Sequence, residues 1–192
     1  MRFRNPRLRP GVYSLRMPSN FAMRIIGIAG FSGSGKTTLI EKLVPLLVRD
    51  GIRVSLIKHA HHEFDVDQPG KDSYRHRHAG CAEVLVSSSK RWALMHELRG
   101  AAEPTLEDQL KHLSPCDLVI VEGYKSEPIA KIEVHRRSGH TPLLHPDDPH
   151  VVAIATDEPL DTTLPQLDVD DAEDVARFIL KHLGLNRARL VR

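Results

Sequence analysis

Apolar positions along the chain fall into two rhythms, and the change between them marks the elements. Arg24–Ala29 (RIIGIA) is a short β-branched run that stops at a glycine loop, which predicts a buried strand. After the loop, Leu39, Ile40, Leu43, Val44 and Leu47 recur at three- and four-residue spacings, the stripe of a helix. Pro45 lacks the N–H that a helix needs, so a kink is expected there, with a stop near Asp50-Gly51. Arg53–Lys58 (RVSLIK) predicts the second strand. Strand, helix and strand in this order imply a parallel pair joined by a right-handed crossover.

The polar stretch His59–Lys71 is too rich in His, Asp, Pro and Gly for a regular element. Asp72–Ala79 predicts a short helix ending at Gly80, and Ala82–Ser87 and Trp92–Glu97 predict two strands about a turn at Ser88–Arg91. Thr105–Leu113 is amphipathic, with Thr105 as its cap. Asp117–Glu122 (DLVIVE) is the best central strand. Lys131–His135 (KIEVH) alternates and reads as an edge strand. A proline-rich loop, His140–Pro149, leads to a strand at Val151–Ala155, and Asp171–Leu183 closes the chain as a helix. The alternation predicts one α/β domain over residues 23–184: a mostly parallel sheet flanked by helices, of the P-loop NTPase type, with a small antiparallel addition.

Composition changes this picture only at the margins. Of 192 residues, 41% are hydrophobic, enough for a buried core. A formal net charge of +2 argues for neither nucleic acid nor a membrane surface as partner. No apolar run approaches the roughly 20 residues that span a bilayer. Cys81 and Cys116 form no CxxC pair and read as small core residues in a reducing cytoplasm. Trp92 reads as a packing or interface residue. Residues 1–22 carry Arg2, Arg4, Arg7, Arg9 and Arg16 and no acid. They read either as a disordered extension ahead of a natural start at Met23 or as a basic arm for an acidic partner. A secretory signal needs an apolar stretch after the charges, and none follows. Residues 185–192 form a basic tail.

The chemistry starts at Gly30-Phe31-Ser32-Gly33-Ser34-Gly35-Lys36-Thr37, a full GxxxxGK[ST] pattern between a strand and a helix. Glycines at 30, 33 and 35 allow positive φ, so successive N–H groups turn inward and make an anion nest. The helix start adds its positive dipole end. Lys36 supplies a point charge to the β- and γ-phosphates, Thr37 ligates magnesium, and Thr38 reaches the α-phosphate or caps the helix. Such sites need a second carboxylate at the end of a neighbouring apolar strand. Glu122 fits and Asp117, at the strand's other end, does not, although Glu122 pairing only with a lysine such as Lys125 is the bland alternative. Gly123 lets the backbone pass the γ-phosphate.

The loop after the second strand begins at the carboxyl end of a parallel strand, where open α/β sheets place ligands. Asp65, Asp67 and Asp72 are candidates for metal or water, and Lys71 and Arg75 for an anion. His59, His61 and His62 lack the partners of a structural zinc site and read as solvated or ligand-facing. Most of Arg75, His76, Arg77 and His78 are expected to face water.

Taken together, GFSGSGKTTL, IKHAHHEFDVDQPGKDSYRHRHAG, DLVIVEGYK and KIEVHR resemble the MobB family, adapters of molybdopterin-guanine dinucleotide biosynthesis. The resemblance spans about Arg24 to Asp157, and its specific part is DxDxPGKDSYRHR followed by VEGYK. Cys81 replaces the alanine usual after the helix glycine. The resemblance implies a dimeric, magnesium-dependent GTP-binding protein with weak GTPase activity that assists the guanylyltransferase joining GMP to molybdopterin. It also leaves open whether molybdopterin itself is bound. It places Gly33 to Thr38 on the triphosphate, Asp67 and Glu122 near magnesium, and Lys71, Asp72, Ser73 and Arg75 in the same cleft or at the subunit interface. No NKxD guanine-reading sequence is present. Asp157, after the late strand, is the candidate base reader, with a loop acid or helix cap as the alternative. Two other functions compete: a small-molecule kinase, for which no arginine-rich lid hairpin is evident, and a binding module that hydrolyses nothing.

Overall fold

The structure is a computed structural model and describes residues 23–60 and 64–185. Strand β1 (Arg24–Ala29) runs into the glycine loop, helix α1 (Lys36–Arg49) leaves it, and β2 (Val54–Lys58) returns parallel. Helix α2 (Asp72–His78), the pair β3 (Glu83–Ser87) and β4 (Trp92–His96), and α3 (Leu106–Lys111) follow. Then come β5 (Leu118–Glu122), β6 (Lys131–His135), β7 (Val151–Thr156), β8 (Gln166–Asp168) and α4 (Ala172–His182). Six strands form one sheet in the order β2-β5-β1-β6-β7-β8, every pair parallel. All their carboxyl ends therefore lie along one edge. The antiparallel pair β3–β4 stands apart as its own two-stranded sheet.

Strand alternation divides the sheet's side chains between two cores. Ile26, Ile28, Leu118 and Ile120 face α1 and α4, where Leu39, Leu43, Leu47, Val175 and Ile179 are buried. Val119, Val121 and Ile57 face the other way, against Leu106 of α3 and Cys116. Helix α1 stays continuous through Pro45. It ends where Gly51, at φ 84°, lets Ile52 N–H reach Leu47 O at 3.0 Å.

Two expectations need correction, and one strand was not foreseen. Lys131–His135 is not an edge strand; it lies between β1 and β7 with all five residues buried. Its polar residues are enclosed, not solvated. Lys131 Nζ donates to Lys125 O at 2.7 Å, Glu127 O at 2.8 Å and Asp148 Oδ2 at 2.6 Å. Glu133 accepts the N–H groups of Leu144 at 2.6 Å and His145 at 3.0 Å. Cys81 is exposed between α2 and β3, so it is not a core residue; Cys116 alone of the two is core. Strand β8 carries only three residues, too few for a periodic signal. The expectations for residues 1–22, His61, His62 and 186–192 lie outside the described residues.

Candidate functional site at the phosphate loop

Strand β1 delivers Gly30 against β6. A Cβ there would lie 2.4 Å from Val134 O, and φ is +149°, so the position demands glycine. Gly35, at φ +93°, is the residue before α1, and no side chain caps that helix. Thr38 therefore does not act as the cap and stands exposed. The helix's first N–H groups are left for another partner. Ser34 Oγ is buried with no hydrogen-bond partner among the described residues, a polar atom aimed into the loop without a mate. Ser32 and Gly33 form the exposed lip of the loop.

Lys36 folds back over this loop, its Nζ donating to Phe31 O at 2.8 Å. Burial, the largest influence, pushes its ammonium below the usual lysine value; Glu122 opposes this, and Lys125 and Lys58 add to it. Thr37 Oγ1 donates to Glu122 Oε1 at 2.8 Å. Lys58 Nζ stands 3.4 Å from the same oxygen, and Glu122 is buried. Lys125 Nζ lies 4.2 Å over the Phe31 ring. Gly123 N–H donates to Ile28 O at 3.3 Å, so the chain turns beside β1 directly after Glu122. Lys36 and Lys58 thus face one buried carboxylate beside an anion nest, with Lys125 close enough to act on Lys36, a charge pattern suited to a polyanion with a hard cation. The hydroxyl and carboxylate oxygens of Thr37 and Glu122 fit magnesium in type and in mutual approach.

Asp117 sits at the opposite end of β5. Its Oδ2 accepts Arg53 N–H at 2.8 Å, away from the phosphate-loop edge. Asp67 is also engaged elsewhere. Among the described residues its carboxylate meets Gln68 N–H at 3.1 Å, Ser73 Oγ at 2.8 Å and Arg77 Nε at 3.3 Å, and neither Thr37 nor Glu122. Arg77 also holds Asp65 at 2.8 Å and Glu97 at 2.7 Å. Arg75, His76 and His78 face water as expected, whereas Arg77 is only 11% exposed and ties α2 to two loops. Lys71 and Asp72 stand exposed at the start of α2, and Arg75 lies 3.7 Å from Asp72. Asp157 follows β7 on the phosphate-loop edge, where its Oδ1 accepts Arg137 N–H at 2.9 Å. That bond, its largest influence, holds its carboxyl below the usual aspartate value. His59 Nε2 lies 3.0 Å from Glu103 and its ring 5.1 Å from Tyr124. Both belong to a cleft of about 470 Å³ with Gly123, Lys125 and Ser126, on the far side of Glu122 from β1.

Against known proteins, residues 25–157 match the family model of MobB, molybdopterin guanine dinucleotide synthesis protein B. The chain belongs to the MobB family. It is 46% identical over 160 residues to the molybdopterin-guanine dinucleotide biosynthesis adapter protein of Escherichia coli (strain K12), covering 82% of this chain and 91% of that one. Identity to the protein of the same name from Haemophilus influenzae is 44% over 160 residues, covering 83% and 89%. Among solved structures, a crystal structure of molybdopterin-guanine biosynthesis protein B superposes with a TM-score of 0.67 at 28% identity, covering 83% of this chain and 99% of that one. The MobB homologue from Bacillus stearothermophilus gives 0.66 at 26% identity, covering 85% and 100%. The MobB motif segments thus divide in this chain: the glycine loop and VEG meet at the Thr37–Glu122 contact, and DxDxPGKDSYRHR builds the Arg77 staple. The lysine that pairs with Glu122 is Lys58, which was not singled out in the sequence, whereas Lys125, which was, lies over Phe31. Lys58 ends a parallel strand and Lys125 follows Glu122 by three residues, and both are signals for the loop-side edge.

Proposed function

We propose that this MobB-family chain is a GTP-binding adapter of molybdopterin guanine dinucleotide biosynthesis that assists the guanylyltransferase and hydrolyses GTP slowly, with magnesium. The observation that carries the nucleotide part is the Thr37–Glu122 contact of 2.8 Å beside Lys36 and the uncapped start of α1. Gly30, Gly33, Ser34, Gly35, Lys36 and Thr38 hold the phosphates, and Thr37 and Glu122 hold magnesium. Magnesium supplies charge neutralisation of the β- and γ-phosphates. Asp67 fixes the loop ahead of α2 through Arg77, and Lys71, Asp72 and Arg75 offer exposed charge there to a partner. Asp157 reads guanine by accepting from N1–H and N2–H₂, which adenine does not offer.

Slow turnover follows from the charges available. The cations around Glu122 are lysines, and fast GTPases owe much of their rate to an arginine finger and a water-positioning glutamine. A homodimer is supported by the β3–β4 pair. On one face Leu85 opposes Leu94 and Ser87 opposes Trp92, with Leu85 60%, Leu94 42% and Trp92 66% exposed. A two-stranded hairpin is marginal alone, and an apolar face of this kind is stabilised by a second copy. Two free cysteines suit a reducing cytoplasm. Incubation with γ-labelled GTP and magnesium tests the activity. Slow release of free phosphate supports the reading, and label transfer to a metabolite at kinase rates, roughly 1–100 per second, refutes it.

A further inference from the structure

Arg136 follows β6 directly and touches the phosphate loop, the segment after β7 and the segment before α4. Its Nε lies 3.3 Å from where a Cβ on Gly35 would stand, so the side chain walls the last glycine of the phosphate loop. Its guanidinium is bidentate on Asp170, which lies between β8 and α4; Nη1 donates to Asp170 Oδ2 at 3.2 Å, and Nη2 donates to Oδ1. The same Nη1 is 3.5 Å from Asp157 Oδ2. Asp157 Oδ1 is tied to Arg137 N–H, so the two carboxylate oxygens of Asp157 have different restraints. One is fixed by backbone, and the other faces Arg136 at the outer limit of a hydrogen bond.

We propose that Arg136 is a positioning residue for base selection: it sets the Asp157 carboxylate against the phosphate loop, so that a purine can meet the acid only when its phosphates are seated. This rests on the guanine-nucleotide reading above. The geometry needs arginine. A planar fork grips Asp170 with two nitrogens while Nε still lies along Gly35, and a lysine ammonium is a single point that cannot do both. Asp170 holds both terminal nitrogens of the fork, and its Nη1 contact is shorter than the one to Asp157, so the guanidinium is restrained from moving onto the base-reading acid. At 26% side-chain exposure, Arg136 is open enough for a nucleotide to reach it and restrained enough to hold its place. Gly35 completes the device, because a side chain there would push the guanidinium off its seat.

The test is calorimetric titration of full-length protein with GTP, ATP and inorganic tripolyphosphate, all with magnesium. The proteins are wild type, Arg136→Ala, Arg136→Lys and Asp170→Asn. Tripolyphosphate reports the phosphate loop alone, and the GTP-to-ATP ratio reports the base site. For Arg136→Ala, loss of GTP affinity is expected to exceed loss of tripolyphosphate affinity by about tenfold, the worth of one charge-assisted hydrogen bond. The GTP-to-ATP ratio falls with it. Arg136→Lys does not restore the ratio, and Asp170→Asn lowers it in the same direction. A wild-type ratio in Arg136→Ala overturns this proposal alone. Wild-type protein that binds tripolyphosphate without preferring GTP overturns the guanine reading and this proposal together.

Discussion

On the proposed function Lys36 is charged when it holds a triphosphate, yet it sits where burial disfavours that charge. Burial lowers the Lys36 pKa below 10.5, and Glu122 only partly opposes it. Between that lowered value and 10.5 the unfolded chain binds more protons, so Lys36 makes the free protein's stability rise with pH in that window. Nucleotide affinity runs the other way. It falls as pH rises through the lowered value, and binding there takes up a proton. Titrations in buffers of different ionisation enthalpy measure that proton directly. Lys36→Ala removes a charge-assisted contact of about 1.5–3 kcal/mol, so nucleotide affinity is expected to drop roughly 10- to 150-fold with the fold intact by circular dichroism. Gly30→Ala acts differently. Its Cβ meets a backbone oxygen at 2.4 Å, so a loss of several kcal/mol in denaturant melts is expected, on the scale of overpacking plus backbone strain. These residues were legible in the sequence because their work is local: eight consecutive positions fix the loop. Asp67 was less legible. Its carboxylate, expected near magnesium, is engaged by Arg77, ten residues on, a contact that no local pattern reports.

At the scale of elements, β6 carries the lesson. Its alternation of Lys131, Glu133 and His135 with Ile132 and Val134 is the pattern of a half-solvated strand. Burial of the polar face depends on loops from 125 to 127 and 144 to 148, which no periodicity reports. Lys131 fastens the segment after Glu122, so it supports the site as well as the fold. Lys131→Ala removes the ammonium from Lys125 O, Glu127 O and Asp148 Oδ2, leaving Glu127 O with Ile129 N–H and Asp148 with His150. A destabilisation of about 3–5 kcal/mol is expected, read as a lower denaturant midpoint with an unchanged slope. An unchanged midpoint would show that the buried ammonium carries no weight. The other elements were legible because their apolar runs are long or well bounded. Strand β8 was not, since three residues contain barely one alternation.

For the whole molecule, the sheet places every chemically useful end on one edge: the phosphate loop after β1, Glu122 after the β5 run, and Asp157 beyond β7. The β3–β4 pair stands off this sheet with an apolar face uncovered. Leu94→Glu should convert a dimer to monomer in sedimentation velocity while leaving the melt of the six-stranded domain near wild type. A dimer that survives it would move the interface elsewhere. Everything functional still depends on whether the edge binds a nucleoside triphosphate at all. Calorimetric titration of wild-type protein with GTP, in magnesium and then in excess chelator, addresses that point. Saturable binding that weakens markedly without magnesium is expected. No magnesium-dependent affinity for GTP or any other nucleoside triphosphate would contradict it.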